Sequence, residues 1–329
     1  YSYSNTEKEE IWRNINNKIT KRSTIKRWSY AASIAACFMI ILLGSLWKFN
    51  PTTPHSIKAS VNIDSILQGN NIMLILSDGE ILPLDSHSYL QYKENGTFII
   101  ENERKQERKS TQTAGAHTLI VPRGKTSFLS LADGTKIWVN ADTEVRFPVK
   151  FVGNERKIFI KGEAFLEVAK DSVMPFKVVM PNNEVVVLGT SFDVKAYPDE
   201  KEDQVTLVSG NISVQSSVTA QNLLLSPGEQ VIVDKMNGKM EKRIVDTDLY
   251  CSWREGKFIF KSSSLEYILN TLARMYDMNI CWQDESLKEV SFSGEIKRYD
   301  QIDKLLKMIG LTDDVKFLIQ GKNIIVSNP

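Results

Sequence analysis

Gly189, Thr190 and Ser191 follow one another in VLGTSFDV (187–194), between two apolar stretches. A small hydroxyl residue after glycine can be a nucleophile, part of a phosphate cradle, or part of a tight turn. The chemistry that fits a Gly-Thr pair is attack of the threonine hydroxyl on the preceding carbonyl. That gives an ester which water opens, with no remote base strictly required. Gly189 is then the acyl donor and Thr190 the nucleophile of a self-cleavage junction. The plainer reading is a turn or a close backbone approach at Gly189.

Other chemical patterns fail on spacing. GKT at 124–126 ends like a phosphate loop, but the glycine required five positions earlier is Leu119. His55, His87 and His117 have no metal-ligand spacing with Cys, Asp or Glu. No nucleophile elbow or serine-lysine pair occurs. The expectation is therefore no ordinary enzyme, no cofactor and no metal. A net charge of +1 gives no electrostatic case for direct nucleic-acid binding.

The elements that must position the junction are strands. EVVVL precedes Gly189, and SFDVKAY alternates after it. From residue 57 to about 235 the chain reads as short alternating runs with turn punctuation. Asp78-Gly79 and Asp133-Gly134 each sit between apolar runs, a hairpin signal. ILSDGEILPLDSHSYL (75–90) echoes SLADGTKIWVNADTEV (130–145), which suggests related β units stacked on each other. ENERKQERKS (101–110) reads as a solvated charged loop, and EVRFPVKF (144–151) as core plus rim.

Residues 28–47, WSYAASIAACFMIILLGSLW, carry no charge and a tryptophan at each end. Twenty helical residues at about 1.5 Å each span a hydrocarbon core of about 30 Å, so one transmembrane helix is expected. Six basic residues and no acid occupy 13–27, whereas 48–62 hold only Lys48 and Lys58. The positive-inside rule places the N-terminus in the cytoplasm and everything after Lys48 outside. A cleaved secretory signal lacks its A-x-A site here. A lipoprotein signal at IAAC (34–37) should end near Cys37, but the apolar run continues past it. The chain starts at Tyr1, so the cytoplasmic piece is expected to be truncated. Within it Ile11, Trp12, Ile15 and Ile19 recur at helical spacing, a one-sided helix that wants a partner surface.

After residue 249 the pattern becomes β-α-β-β-α-β-β, a small α+β module. SLEYILNTLARMYD (264–277) is an amphipathic helix with Ser264 as N-cap, and Leu265, Ile268, Leu269, Leu272 and Tyr276 share a face. A second helix closes at Gly310, and a terminal hairpin turns about Gly321. Cys251 and Cys281 either pair or stay separate; spacing does not decide.

PRGKTSFLSLADGTKIWVNADTEVRFP (122–148) resembles the opening signature of FecR-type anti-sigma regulators. GEAFLEVAKDSVMPFKV (162–178), EVVVLGTSFDVKAYPDE (184–200) and LLLSPGEQVIV (223–233) follow in that family's order. The terminal module resembles the short signalling domain of secretins and TonB-dependent transducers, and its open sheet edge is a candidate docking site. The resemblance implies five parts. They are a truncated cytoplasmic anti-sigma segment (1–27), a transmembrane helix (28–47), a linker with a first β unit (48–115), a FecR-like β domain (116–248) and a signalling-type α+β module (249–329). The fold class is thus a mainly β periplasmic domain of stacked antiparallel units plus a small C-terminal α+β domain. The implied function is relay from the signalling domain of an outer-membrane TonB-dependent transporter to a cytoplasmic ECF sigma factor, across the inner membrane. Since some relatives are processed at this Gly-Thr pair, the resemblance also implies cleavage at Gly189-Thr190. The rival reading is a membrane-anchored periplasmic scaffold with no sigma partner. A carbohydrate-binding β module finds only scattered Trp138, Trp253 and Trp282, with no evident aromatic platform.

Overall fold

Alternating apolar and polar residues, broken by Asp-Gly, Asn-Gly and Pro-Gly turns, give the chain eighteen short strands before its first helix among the described residues. The computed structural model describes residues 69–85, 89–101, 106–109, 115–298, 301–311 and 315–329. The expected transmembrane segment 28–47, the candidate partner face Ile11, Trp12, Ile15 and Ile19, and His55 and His87 all lie outside those residues. Among the described residues no helix is long and apolar enough to cross a membrane.

The strands are β1 (Ile72–Ile75), β2 (Ile81–Leu84), β3 (Tyr89–Tyr92), β4 (Thr97–Glu101), β5 (Gln106–Lys109), β6 (Ala116–Val121), β7 (Ser127–Ser130), β8 (Lys136–Val139) and β9 (Thr143–Pro148). There follow β10 (Arg156–Glu167), β11 (Phe176–Val179), β12 (Asn183–Val187), β13 (Ser191–Ala196), β14 (Glu202–Ser209), β15 (Ile212–Ser216), β16 (Asn222–Leu225), β17 (Glu229–Asp234) and β18 (Met240–Ile244). They form two facing sheets. One runs β2-β1-β6-β9-β10-β11-β12-β15-β16. The other runs β5-β4-β3-β7-β8-β10-β13-β14-β17-β18. Between them lies one core, from Ile72 and Leu74 through Val145, Phe176 and Phe192 to Val233.

Strand β10 belongs to both sheets. Residues 156–161 pair with β9 and β11, and 162–167 with β8 and β13. The crossing is at Gly162, with φ of 120°. A Cβ there would stand 2.4 Å from Thr143 Oγ1 and 2.7 Å from its Cα, so only glycine lets the strand change sheets. Three of the four described edge strands of these two sheets are defended: β2 carries Pro83, and β5 and β18 read QERK and MEKRI.

Both Asp-Gly hairpins form, as β1/β2 and β7/β8. One lies in each sheet, and both contribute to the core between the sheets. Strand β9 is core plus rim: Val145 and Phe147 are buried and Arg146 is exposed. The stretches 72–100 and 119–233 share the same core.

His117 sits in this core, fully buried, with Nδ1 2.6 Å from the Tyr92 hydroxyl and its ring edge-on to Phe98. Burial pushes its pKa down to about 4, against an opposing pull from Asp78. The folded imidazole is therefore neutral where the unfolded one takes a proton. Stability from this group is fully present above about pH 6.5 and falls as pH drops towards 4, by at most about 1.4 kcal/mol per pH unit. Buried carboxylates with raised pKa have the opposite sign, so the readable quantity is the difference between native chain and variant. Urea midpoints measured from pH 7 to 4.5 should fall more steeply in the native chain than in His117→Gln; parallel curves would refute this.

The C-terminal module begins with α1 (Asp248–Cys251) and a 3-10 turn (Ser252–Glu255). It continues β19 (Lys257–Ser264), α2 (Leu265–Tyr276), β20 (Asn279–Trp282), β21 (Ser291–Lys297), α3 (Ile302–Gly310), β22 (Lys316–Gln320) and β23 (Asn323–Ser327). The order is the one read from the sequence. Ser264 caps α2, its hydroxyl accepting from the Tyr267 amide at 3.3 Å. Strands β19 and β21 pair with each other, while β23 lies between β22, antiparallel, and β20, parallel. Cys251 is buried, Cys281 is exposed, and they do not pair.

Candidate functional site

Thr190 is buried between strands β12 and β13. The segment after β10 runs alongside it: the Val168 amide donates to Thr190 O at 2.9 Å, and the Asp171 amide to Leu188 O at 2.8 Å. Gly189, with φ of 151°, faces Lys170, whose Cα would lie 2.9 Å from a Cβ added there. The glycine is thus required by a close backbone approach. Glycine adopts this angle freely, so the junction shows no strain of its own. The Thr190 hydroxyl donates to Asn211 O at 3.1 Å. A Cβ on Gly210 would meet both Thr190 Oγ1 (2.7 Å) and Gly189 O (2.9 Å), so the hydroxyl and the Gly189 carbonyl oxygen face the same narrow space.

Distant motifs hold this arrangement. Arg156, nearly fully buried, donates to Asp133 Oδ2 (2.7 Å), Ala169 O (2.9 Å) and Met174 O (2.9 Å). Thr135 Oγ1 accepts from the Ala169 amide at 3.1 Å. The Asp133-Gly134 turn thereby clips down the 168–174 segment that lies against Gly189.

A second constellation is absent from the expectations drawn from the sequence. One cross-strand row crosses the outer face of the second sheet: Tyr89, Phe128, Trp138, Phe165, Asp193, Thr206, Gln230 and Arg243. Its first part is aromatic; the Tyr89 and Phe128 rings stack on each other with centroids 4.8 Å apart. Its middle is covered by the C-terminal module, whose core includes Phe165. The alternation of β13 therefore does not produce a wet face. Asp193 and Lys195 are only 3% and 5% exposed.

The seam between sheet and module is charged. The Trp253 indole donates to Asp193 Oδ1 at 3.0 Å. Lys195 pairs with Glu200 at 3.0 Å and lies over the Tyr267 ring. Arg274, on α2, reaches Asp199 and Glu200 at 2.6 Å each and stacks 3.9 Å from the Tyr197 ring centroid. Glu163 accepts from Asn140 at 2.6 Å. The GKT run also works here: the Gly124 amide donates to Arg274 O at 2.8 Å, capping the C-terminal end of α2. Burial raises the pKa of Asp193, and the nearby Glu163 adds to the rise. Burial also raises Glu163, against the pull of Lys195. For Lys195 burial acts downward, but Tyr267, Glu200 and Glu163 outweigh it and hold the ammonium charged. Burial pushes the Tyr267 hydroxyl up to about 12.

Residues 117–213 match the FecR protein family, and residues 257–326 match the family described as FecR, C-terminal. The chain belongs to the FecR family. Two crystal structures of a candidate anti-sigma factor from Parabacteroides distasonis ATCC 8503, at 1.65 and 2.50 Å resolution, are similar to it. Each is 27% identical, with a TM-score of 0.60, and is matched over 99% of its length by 64% or 65% of this chain. No curated protein matches the chain.

In this FecR chain the sequence-predicted Gly189 and Thr190 stand against a segment held by motif residue Asp133 and by Arg156, which lies between two motifs. The seam residues Asp193, Lys195, Tyr197, Asp199 and Glu200 come from the same motif as the junction, but reach the other match through Tyr267 and Arg274, and Trp253 just before it. Their signal was present: charges alternating on a strand otherwise apolar, and an arginine on a helix where leucines cluster. No group of three or more His, Cys, Asp or Glu suited to a metal occurs among the described residues.

Proposed function

We propose that this FecR-family chain is an anti-sigma regulator whose outer part receives a signal and whose cytoplasmic part holds an ECF sigma factor. The observation that carries the reading is that both FecR segments are present in order and form one unit with the fold of a candidate anti-sigma factor. The charge asymmetry around residues 28–47 supports an inner-membrane span with the C-terminal part in the periplasm. The expected outer partner is the signalling domain of a TonB-dependent transporter. One helix carries little conformational information across a bilayer, so the output favoured is a change in processing of the outer part.

The chemistry proposed for that processing is an N-to-O acyl shift. The Thr190 hydroxyl oxygen bonds to the Gly189 carbonyl carbon, the Gly189–Thr190 C–N bond breaks, and the hydroxyl proton passes to the freed amine. Water then opens the ester, leaving a Gly189 carboxylate and Thr190 as a new N-terminus. The shared space beside Gly210 supports this reading.

The test is chemical crosslinking of the full-length protein in its own cells, followed by mass spectrometry. A sigma factor recovered with the cytoplasmic part and a transporter with the outer part are expected. Outer partners alone would sink the anti-sigma reading and favour a membrane-anchored scaffold.

A further inference from the structure

The 3-10 turn Ser252–Glu255 stands over the start of β13, one residue after the Gly189-Thr190 junction. Trp253 bonds Asp193 on β13. Arg254 lies 4.1 Å from the Phe165 ring centroid and 3.7 Å from Glu167. Phe165 and Glu167 are the cross-strand partners of Asp193 and Ser191. On the other side, the pairing of β13 with β14 slips between Ser191 and Phe192. Ser191 meets Ser209 and Phe192 meets Leu207, which leaves Val208 unpaired, and Val208 packs into the module's core. The turn thus touches β13 and β10 beside the break in the ladder, while the module's core covers Val208 of β14. A bulge weakens the local ladder, so cover from outside matters most there.

We propose that the Trp253–Arg254 turn is a clamp that holds the Gly189-Thr190 junction in place, so that undocking of the C-terminal module is what loosens it. The seam is built for release. Charged pairs across a buried interface fix its geometry but add little net stability, because desolvation offsets their attraction. An apolar seam of the same extent would separate less readily. A signal that lifts the module removes the indole from Asp193 and Arg254 from Glu167. The start of β13 is then held by its ladder with β10, its interrupted ladder with β14 and the 168–171 segment. The consequence for processing rests on the reading of the junction as a cleavage point; the clamp itself does not.

Hydrogen exchange on the full 329-residue chain in detergent tests it. Trp253→Phe keeps the ring and removes the indole donor. Asp193→Leu removes the acceptor, and Asp193→Asn keeps an acceptor oxygen in place. Peptides covering 186–196 should exchange about tenfold faster in Trp253→Phe and Asp193→Leu, as expected for one buried hydrogen bond. Asp193→Asn should restore protection. Peptides from β6 and β9, which report global opening, should not change. Unchanged exchange at 186–196 in Trp253→Phe would overturn the clamp, as would an equal rise in β6 and β9. Fragment masses from the same samples score cleavage separately, so failure of the processing reading is distinguishable from failure of the clamp.

Discussion

Arg274→Ala should release the C-terminal module from the β stack at a cost of about 3 kcal/mol. Arg274 is 4% exposed and answers Asp199 and Glu200 together, with its plane against Tyr197. Removing one partner of a buried pair costs about 3–5 kcal/mol because the other charge is left desolvated. The lower end applies, since Asp199 is largely exposed and Glu200 keeps Lys195. Arg274→Lys should recover only part of the loss, because an ammonium cannot answer two carboxylates with a planar fork. Urea unfolding should split into two transitions, and limited proteolysis should cut between β18 and β19, where the chain passes from sheet to module. A single transition at the native midpoint would show that the apolar contacts of Phe165 and Trp253 suffice without the arginine.

Thr190→Ala should abolish the two fragments that join at Gly189-Thr190, and Thr190→Ser should keep them. The hydroxyl is the only proposed nucleophile, so the expected effect is total. Folding is a weak confounder. The alanine variant loses the bond to Asn211 O, worth about 1 kcal/mol, a small part of a typical domain's stability. The fragments should co-elute without denaturant. Cleavage leaves β10 on β13 and β12 on β15, so each sheet still joins the two pieces. Denaturing gels with N-terminal sequencing read the cut, and native chromatography reads the association. Identical fragments from Thr190→Ala would mean that another agent makes the cut and that Thr190 only packs.

The pairing of Gly189 with Thr190 was visible as sequence, but its setting was not. What compels glycine at 189 is the Cα of Lys170, nineteen residues earlier, which approaches only because the Asp133 turn and Arg156 pin that segment. No local pattern encodes such an approach. GKT at 124–126 lacks the first glycine of a phosphate loop. Its actual task, capping a helix 150 residues later, depends on which surface that helix meets.

What the sequence determined by itself is what local physics writes into short stretches. Two-residue alternation and Asp-Gly pairs specified strands and hairpins. A 3.6-residue stripe with Ser264 before it specified α2, and the motif order specified the family. Only the tertiary structure decided which faces are dry. SFDVKAY has the alternation of a strand with one wet side, yet Asp193 and Lys195 are buried. A strand's own period records that its faces differ, not what covers them. The module comes from sixty residues further along and meets those charges with an indole and a tyrosine ring, while Glu200 of the same motif pairs with Lys195, so the polar half of the motif is an interface rather than a surface. The two similar hairpins were assigned to opposite sheets for a related reason. Their sequences set the turn, while pairing with distant strands, β6 for the first and β3 and β10 for the second, set which sheet each joins.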